Sequence, residues 1–400
     1  MFTDWCHTDL CILEIMIIFA RKLKIVMSKP FVYGASVEGE NFTDRELETK
    51  RLMLNFENGV NSVLISPRRM GKTSLEKKVK GMVDSPHIKV VYMDIYKCRT
   101  DYEFYDKFAS AIIQATSTKM EKALDTAKEF LLSISPKVSI SPEPNSEFSF
   151  SLGINPKSNT PEEVLDLPER IARKRGIQIV VCIDEFQQIG EMADSLTVQK
   201  TIRSVWQHHQ NTSYCLFGSK QHLMSNLFYS RKMPFYQFGD MFFLQKIPAV
   251  KWIPFIVERF QQAGKSISEA LAGRICETAE CYSSYVQQLA WNVLAQTEDM
   301  VTEQSFSDGL EATLAQVTPL FVEQTANLSA YQLNMIRALC SGFHSDFGSK
   351  EVAERFNLGS RSNIPKLKNA LIEREMVEVN GDGLYLADPL FAYWFRREMM

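Results

Sequence analysis

The chain has 400 residues, 45% of them hydrophobic and 23% charged, and its formal net charge is −3. This length allows about two or three domains with a large core, and the near-neutral charge excludes a strongly basic nucleic-acid or membrane-surface binder as the overall class, leaving only local basic patches open. The eight cysteines form no C-x-x-C pair and no metal-ligand spacing. We therefore expect free thiols that serve as small apolar side chains in a reducing cytoplasm.

The N-terminal segment differs in character from the rest. Its apolar stretch at 12–26 is interrupted by four charged residues, and the unbroken part is too short to span a membrane. Asp4 and Asp9 stand where a signal peptide would be basic. Met27 begins a segment typical of a natural start, so we expect residues 1–29 to be an extension outside the core. We expect a cytoplasmic protein with no membrane partner.

A phosphate-binding loop is the strongest motif. The apolar run 63–65 predicts a strand, the spacing from Leu75 onward predicts a helix, and the sequence SPRRMGKTS at 66–74 joins them. Backbone N–H groups at a helix N-terminus bind anions, the lysine neutralises the β- and γ-phosphates, and the threonine ligates Mg²⁺. The motif therefore predicts a nucleotide site whose loop residues are Arg68, Arg69, Met70, Gly71, Lys72, Thr73 and Ser74, with Thr73 on the metal.

The loop departs from the pattern G-x-x-x-x-G-K-[ST] at its first position, where Ser66 replaces glycine. A left-handed backbone there would cost a serine roughly 1–2 kcal/mol. Charge-assisted hydrogen bonds to phosphate contribute about 1.5–3 kcal/mol each, which outweighs that cost. Alternatively, Ser66 adopts an ordinary conformation and its hydroxyl caps the loop. We expect nucleotide binding to survive, so that the departure bears on the rate of hydrolysis.

Strands and helices alternate after this loop. Amphipathic helices are predicted at 102–116 and 119–132, and alternation of apolar residues with serine predicts an inserted β-hairpin near 137–153. Further segments predicted as strands lie at 89–95, 177–183, 214–218 and 240–247. Because the continuous apolar run at 177–183 is typical of a strand buried on both faces, we expect a doubly wound parallel α/β sheet.

Polar residues at the ends of two of these strands complete the predicted site. Asp184 and Glu185 end one strand, and Ser219 follows the next. We expect Asp184 to hold Mg²⁺ through its water ligands, Glu185 to polarise the attacking water, and Ser219 to contact the γ-phosphate. Arg231 has two interpretations, an arginine finger or a solvated surface arginine.

The C-terminal part changes in texture. The pattern is helical from 252 to about 321, and three further helices then precede two short strands joined by Asn-Gly-Asp-Gly at 380–383. That turn is typical of a β-hairpin, and three helices followed by a hairpin predict a winged helix-turn-helix. The predicted domains are an ATPase-type core at 30–250, a helical lid at 251–325 and a winged helix at 326–400.

These motifs together resemble the archaeal-type prokaryotic P-loop ATPases, which are related to AAA+ and STAND proteins. The segments that carry the resemblance are Phe42-Thr43-Asp44-Arg45-Glu46, SPRRMGKTSL at 66–75, Ile183-Asp184-Glu185-Phe186-Gln187, YVQQL at 285–289 and DPLFAYWFR at 388–396. The resemblance implies an additional-strand (ASCE), AAA+-like core with a helical lid and a winged helix, and it implies ATP and Mg²⁺. It also implies that Phe42 and Arg45 lie near the adenine.

We therefore expect a Mg²⁺-dependent ATP-binding protein that hydrolyses ATP slowly and acts as a nucleotide-controlled switch. One alternative is a DNA-binding regulator or DNA-processing ATPase, because Arg361, Lys366 and Lys368 have no nearby acid until Glu373. Another is an inactive nucleotide-bound scaffold, which the Ser66 departure keeps open. Protein partners and self-association are left open by the sequence.

Overall fold

The computed structural model describes residues 29–117 and 161–400, together with residues 122, 125, 126, 129 and 130. Residues 1–28 of the expected extension, the expected hairpin near 137–153 and much of the expected helix at 119–132 lie outside the described residues. The chain forms two compact units, one of Arg45–Gln245 and one that joins Lys246–Met400 to the chain before Arg45. The assignment of a separate lid and winged helix stays a prediction.

A five-stranded sheet forms the centre of the unit Arg45–Gln245. Its spatial order is β2-β3-β4-β1-β5, and every neighbouring pair is parallel. The expected parallel α/β sheet is therefore confirmed. The strands are β1 (Ser62–Ile65), β2 (Ile88–Asp94), β3 (Gln178–Asp184), β4 (Thr212–Gly218) and β5 (Asp240–Phe243).

The helices of this unit cover both faces of the sheet. Val91, Val181 and Leu216 belong to the main core on one face. Because side chains alternate along a strand, Tyr92, Cys182 and Cys215, which are direct neighbours in the register, lie on the opposite face. The helices are α1 (Glu46–Glu57), α2 (Lys72–Val83), α3 (Asp101–Thr116), α4 (Pro161–Leu165), α5 (Leu167–Arg175), α6 (Ser195–Trp206) and α7 (Gln221–Tyr229).

The other unit is helical with one hairpin. Phe31 contacts the rings of Phe255 and Phe260 and is buried with them. The helices are α8 (Ala249–Gln262), α9 (Glu269–Thr278), α10 (Ser283–Ala295), α11 (Glu303–Ala326), α12 (Ala330–Cys340), α13 (Lys350–Arg355), α14 (Ile364–Glu373) and α15 (Pro389–Glu398). Between α14 and α15, strands β6 (Val377–Asn380) and β7 (Gly383–Leu386) pair antiparallel.

Three helices, α12 to α14, thus precede the hairpin β6–β7, which is the element order that the sequence predicts for this region. No helix within the described parts of the chain combines the length and the apolar character needed to cross a bilayer.

Candidate functional site

The phosphate loop connects the carboxyl end of β1 to the first turn of α2. Left-handed backbone occurs at Arg69 (φ 68°) and Gly71 (φ 86°), whereas Ser66 is not among the residues with positive φ. The N–H of Ser66 donates to the Gly218 carbonyl at 3.1 Å, and its hydroxyl donates to the Pro67 carbonyl at 3.0 Å. The conformational cost considered for a serine therefore does not arise at Ser66, and Arg69 is the non-glycine residue that carries such a cost.

Arg45 is hydrogen-bonded to the backbone of the phosphate loop. Its side chain is almost wholly buried, and its guanidinium donates to the carbonyls of Met70 (3.1 Å) and Gln245 (2.5 Å) and to Glu48 Oε1 (2.9 Å). These bonds join the phosphate loop to the segment that follows β5. Phe42 lies in the other unit, where its N–H donates to the Gly39 carbonyl at 3.1 Å. Contact of Phe42 or Arg45 with an adenine stays a prediction.

Lys72 and the two acids at the end of β3 form the charged centre of the site. The ammonium of Lys72 contacts Oδ1 of Asp184 and lies 3.4 Å from Oε1 of Glu185. The second oxygen of Asp184 accepts a hydrogen bond from the Tyr92 hydroxyl at 3.2 Å. Both Lys72 and Asp184 are buried, so their charges interact strongly with each other and with any anion that enters the loop.

Glu185 is the second carboxylate of the site. It has a left-handed backbone (φ 56°), and its Oε2 accepts hydrogen bonds from the Ser219 hydroxyl at 2.9 Å and from the Gln187 amide. Burial would raise the pKa of Glu185, but the nearby Lys72 and the hydrogen bonds from Gln187 and Ser219 outweigh it and lower the pKa. Glu185 is therefore a carboxylate, the form that can accept hydrogen bonds from water.

The structure thus brings together four of the predicted residues, Lys72, Asp184, Glu185 and Ser219. Thr73 and Ser74 follow in the first turn of α2, where Thr73 is half-buried. Arg68 and Arg69 are exposed at the tip of the loop. Arg231 is exposed in the turns between α7 and β5, and both interpretations of it stay predictions.

The donor set suits Mg²⁺. Among the residues that the structure describes, no group of three or more His, Cys, Asp and Glu side chains could hold a metal ion by itself. A magnesium ion here would need the Thr73 hydroxyl, phosphate oxygens and water, with Asp184 as the acidic partner. Such oxygen ligands, with several retained waters, match the preference of Mg²⁺.

Three residues of this region have no role in the sequence-based site. Gln187 donates to Glu185, and Tyr92 donates to Asp184. Glu76 is 1% exposed, and its Oε2 has no hydrogen-bond partner. Burial, followed by the nearby charge of Asp184, raises the pKa of Glu76 well above its usual range. The spacing of four residues from Lys72 was the signal for Glu76, because it places both side chains on the inward face of α2.

A phosphate loop after β1, an acidic pair at the end of β3 and a five-stranded parallel sheet define a P-loop NTPase fold. No family model and no curated protein matches this chain. Solved structures do match it. The Walker-type ATPase PABY2304 of Pyrococcus abyssi is similar over 92% of this chain and 99% of its own, with a TM-score of 0.67 and 16% sequence identity.

A second similar structure is the Aeropyrum pernix ORC2 protein, solved as ADPNP–ADP complexes. The match covers 91% of this chain and 93% of the ORC2 chain, with a TM-score of 0.55 and 12% sequence identity. At these identities the likeness establishes the fold, and it confirms the expected P-loop ATPase architecture.

Proposed function

We propose that the protein binds Mg²⁺ and ATP and hydrolyses ATP slowly, as a nucleotide-controlled switch. The observation that carries the proposal is the cluster of Lys72, Asp184, Glu185 and Ser219 beside the phosphate loop. It combines a cation for phosphate, an acid for the metal and a carboxylate for the attacking water in one buried site. One of the two similar structures is an ATPase and the other was solved as ADPNP–ADP complexes, which supports ATP as the nucleotide.

Each residue has a role that its chemistry supports. The N–H groups of the first turn of α2 and the Lys72 ammonium bind the phosphates. Thr73 and Asp184 would hold Mg²⁺, which neutralises phosphate charge when bound. Glu185 accepts a hydrogen bond from the attacking water and so orients it toward the γ-phosphate, while Ser219 senses that phosphate from the end of β4.

The contacts of Lys72 support a switch. Its ammonium is paired with Asp184 and lies near Glu185. The phosphates of a nucleotide compete for the same ammonium, so binding would free the two carboxylates for the metal and for water. Shifting an equilibrium from 1:99 to 99:1 needs roughly 5.5 kcal/mol of differential binding, which two or three charge-assisted contacts can supply.

Phosphate release from ATP, measured with Mg²⁺ and with a chelator, tests this proposal. We expect release that depends on Mg²⁺, and we expect Lys72→Ala to lose ATP binding in calorimetry. Lys80→Ala is the matched control, because Lys80 lies on the same helix two turns further on. ATP binding that is unchanged in Lys72→Ala would overturn the site.

A second candidate function is DNA binding by the C-terminal unit, which is the unit that contains Lys246–Met400. Arg361 is exposed in the short helical turn just before α14, Lys366 is exposed in the first turn of α14, and this helix has no acid before Glu373. Lys368 contributes less, because its ammonium lies 5.1 Å from the centre of the Phe347 ring. If the two exposed cations contact phosphates, Arg361→Gln and Lys366→Gln each weaken binding to duplex DNA and lower the slope of log K against log salt by about 0.9.

The control for that experiment is Lys350→Gln, since Lys350 already faces Glu354 at 4.0 Å. Fluorescence anisotropy at low salt is the measurement. Absence of binding by the unaltered chain would leave the C-terminal unit as a contact surface for a protein partner and would exclude the DNA function.

A further inference from the structure

The C-terminal end of helix α9 has a specific hydrogen-bond pattern. The N–H of Cys281 donates to the Cys276 carbonyl at 2.8 Å, and the N–H of Glu280 donates to the Glu277 carbonyl at 3.0 Å. Glu280 has a left-handed backbone (φ 44°). These features define a Schellman motif, in which the side chain three positions before the cap packs against the side chain two positions after it. In this chain both side chains are thiols, those of Cys276 and Cys281.

The two thiols lie side by side. Their interaction with each other, followed by burial, raises the pKa of the Cys276 thiol, while the same interaction lowers the pKa of Cys281. Cys276 is 1% exposed, whereas Cys281 is half-buried and reaches the surface. One sulfur is therefore open to a small oxidant and has a second sulfur directly behind it.

The surroundings of Cys281 favour its ionised form. Interaction with the Cys276 thiol lowers the pKa of Cys281 most, and the charge of Lys246 lowers it further. Burial and the charge of Glu280 raise it, and the resulting pKa is about 7. The Lys246 ammonium lies 3.2 Å from Glu280 Oε2 and 4.1 Å from the centre of the Tyr282 ring. Glu378 also faces Lys246 and Glu280. A thiolate is the form of cysteine that reacts with peroxides and disulfides.

We propose that Cys276 and Cys281 form a redox modification site, in which hydrogen peroxide converts the two adjacent thiols into an intrachain disulfide. The Cys281 thiolate attacks a peroxide oxygen, so that an S–O bond forms, the O–O bond breaks and hydroxide leaves. The Cys276 sulfur then attacks the sulfenic acid, the S–S bond forms, the S–O bond breaks, and water leaves with the Cys276 proton. Two thiols are oxidised, and the peroxide is reduced to two waters.

A second thiol pair in the same chain serves as an internal control. Cys182 and Cys215 are register neighbours on β3 and β4, and they share a thiol hydrogen bond. Both are fully buried, and burial raises the pKa of each thiol. These two thiols also lie next to each other, but solvent does not reach them and neither is ionised. We therefore expect them to stay reduced in the folded protein.

The test treats the folded full-length chain with hydrogen peroxide, blocks free thiols with iodoacetamide and digests with a glutamate-specific protease. Cleavage after Glu277 and Glu280 separates the cysteines into peptides 270–277 and 281–298. We expect mass spectrometry to find these two peptides linked, and to find them separate after dithiothreitol. Alkylated, unlinked peptides, or Cys281 linked to any other cysteine, would overturn the proposal.

Variants define the role of each group. Cys276→Ser keeps a hydrogen-bond donor behind Cys281 but offers no second sulfur, so we expect a sulfenic acid that dimedone traps. Lys246→Gln removes the cation and should slow disulfide formation by about threefold or more at neutral pH. Lys251→Gln is its control, because Lys251 is an exposed lysine of the same unit that faces Asp44. Equal rates for both lysine variants would exclude a role for Lys246.

Discussion

The hydroxyl of Ser219 donates a hydrogen bond to Oε2 of Glu185 at 2.9 Å, which links the end of β4 to the carboxylate at the end of β3. The two strands are neighbours in the sheet. The Gln187 amide donates to the same oxygen, so the carboxylate is held from two directions. If a γ-phosphate takes the Ser219 hydroxyl, Glu185 loses one of these bonds. The pair therefore offers a direct route from nucleotide state to the group proposed to orient water.

Ser219→Ala tests this link. The variant lacks the hydroxyl that is proposed to contact the γ-phosphate, and we expect kcat for ATP hydrolysis to fall about tenfold while ATP affinity changes little. Steady-state phosphate release and calorimetry measure the two quantities. Ser204→Ala is the control, because Ser204 is exposed on α6 and its hydroxyl donates to the Thr201 carbonyl in the same helix. An unchanged kcat would show that Ser219 has no part in turnover.

We expect Glu76 to make the free energy of unfolding depend on pH. The raised pKa of this carboxyl in the folded state means that folding favours its protonated form. The contribution of Glu76 to the free energy of unfolding is complete below the pKa that this carboxyl has in the unfolded chain. It is lost as pH rises toward the pKa in the folded protein, at up to about 1.4 kcal/mol per pH unit. Glu76→Gln, which resembles the protonated acid, should remove this dependence.

Urea unfolding of wild type and Glu76→Gln from mildly acidic to alkaline pH measures the difference, because the dependence begins just above the unfolded pKa. Glu57→Gln is the control, since Glu57 is exposed at the end of α1. Parallel stability curves for wild type and Glu76→Gln would mean that the carboxyl is ionised in the folded protein, contrary to our account.

Two motifs of the resemblance meet within the C-terminal unit. The Tyr285 hydroxyl donates to Oδ2 of Asp388, while Oδ1 accepts from the N–H groups of Leu390 (3.0 Å) and Phe391 (3.1 Å) at the start of α15. We expect Tyr285→Phe to lower the free energy of unfolding by about 1–2 kcal/mol, and Asp388→Ala to lower it further because the helix cap is lost as well.

Chemical denaturation measures both variants, with Tyr393→Phe as the control on α15, where the ring is 36% exposed. A Tyr285→Phe protein as stable as wild type would mean that the bond to Asp388 adds nothing to folding.

Arg231 makes a prediction about assembly. An arginine finger that serves a neighbouring copy requires two chains, so phosphate release per chain should rise with protein concentration, and Arg231→Ala should abolish the rise. Lys232→Ala is the matched control, because Lys232 is the adjacent exposed cation. Release per chain that is independent of concentration in the wild type would favour the surface-arginine interpretation.

Local pattern predicted much of the fold and site. Continuous apolar runs indicated the five parallel strands, and polar residues directly after them indicated Asp184, Glu185 and Ser219, because parallel strands end at one edge. The fifth strand is shorter than its apolar run, ending at Phe243. Hydrophobicity marks which residues are buried, whereas the end of hydrogen-bonded pairing depends on the neighbouring strand.

Contacts distant in sequence were beyond such patterns. The bonds from Arg45 to the carbonyls of Met70 and Gln245 join three separate segments, and carbonyls leave no trace in residue type. The Schellman motif at Cys276 and Cys281 was also hidden, because Glu280 occupies the left-handed position where glycine would be the signal.

Glu185 is the residue proposed to orient water for hydrolysis of ATP bound by the phosphate loop. The most direct test compares phosphate release and ATP binding for wild type, Glu185→Gln and Glu191→Gln with Mg²⁺. Glu191 ends the short 3-10 helix Phe186–Glu191 that follows Glu185, is exposed and pairs with Lys220 at 3.0 Å. We predict that Glu185→Gln binds ATP normally and releases phosphate about a hundredfold or more slowly, with Glu191→Gln unchanged. Equal turnover in Glu185→Gln and wild type, or none in the wild type, would contradict the account.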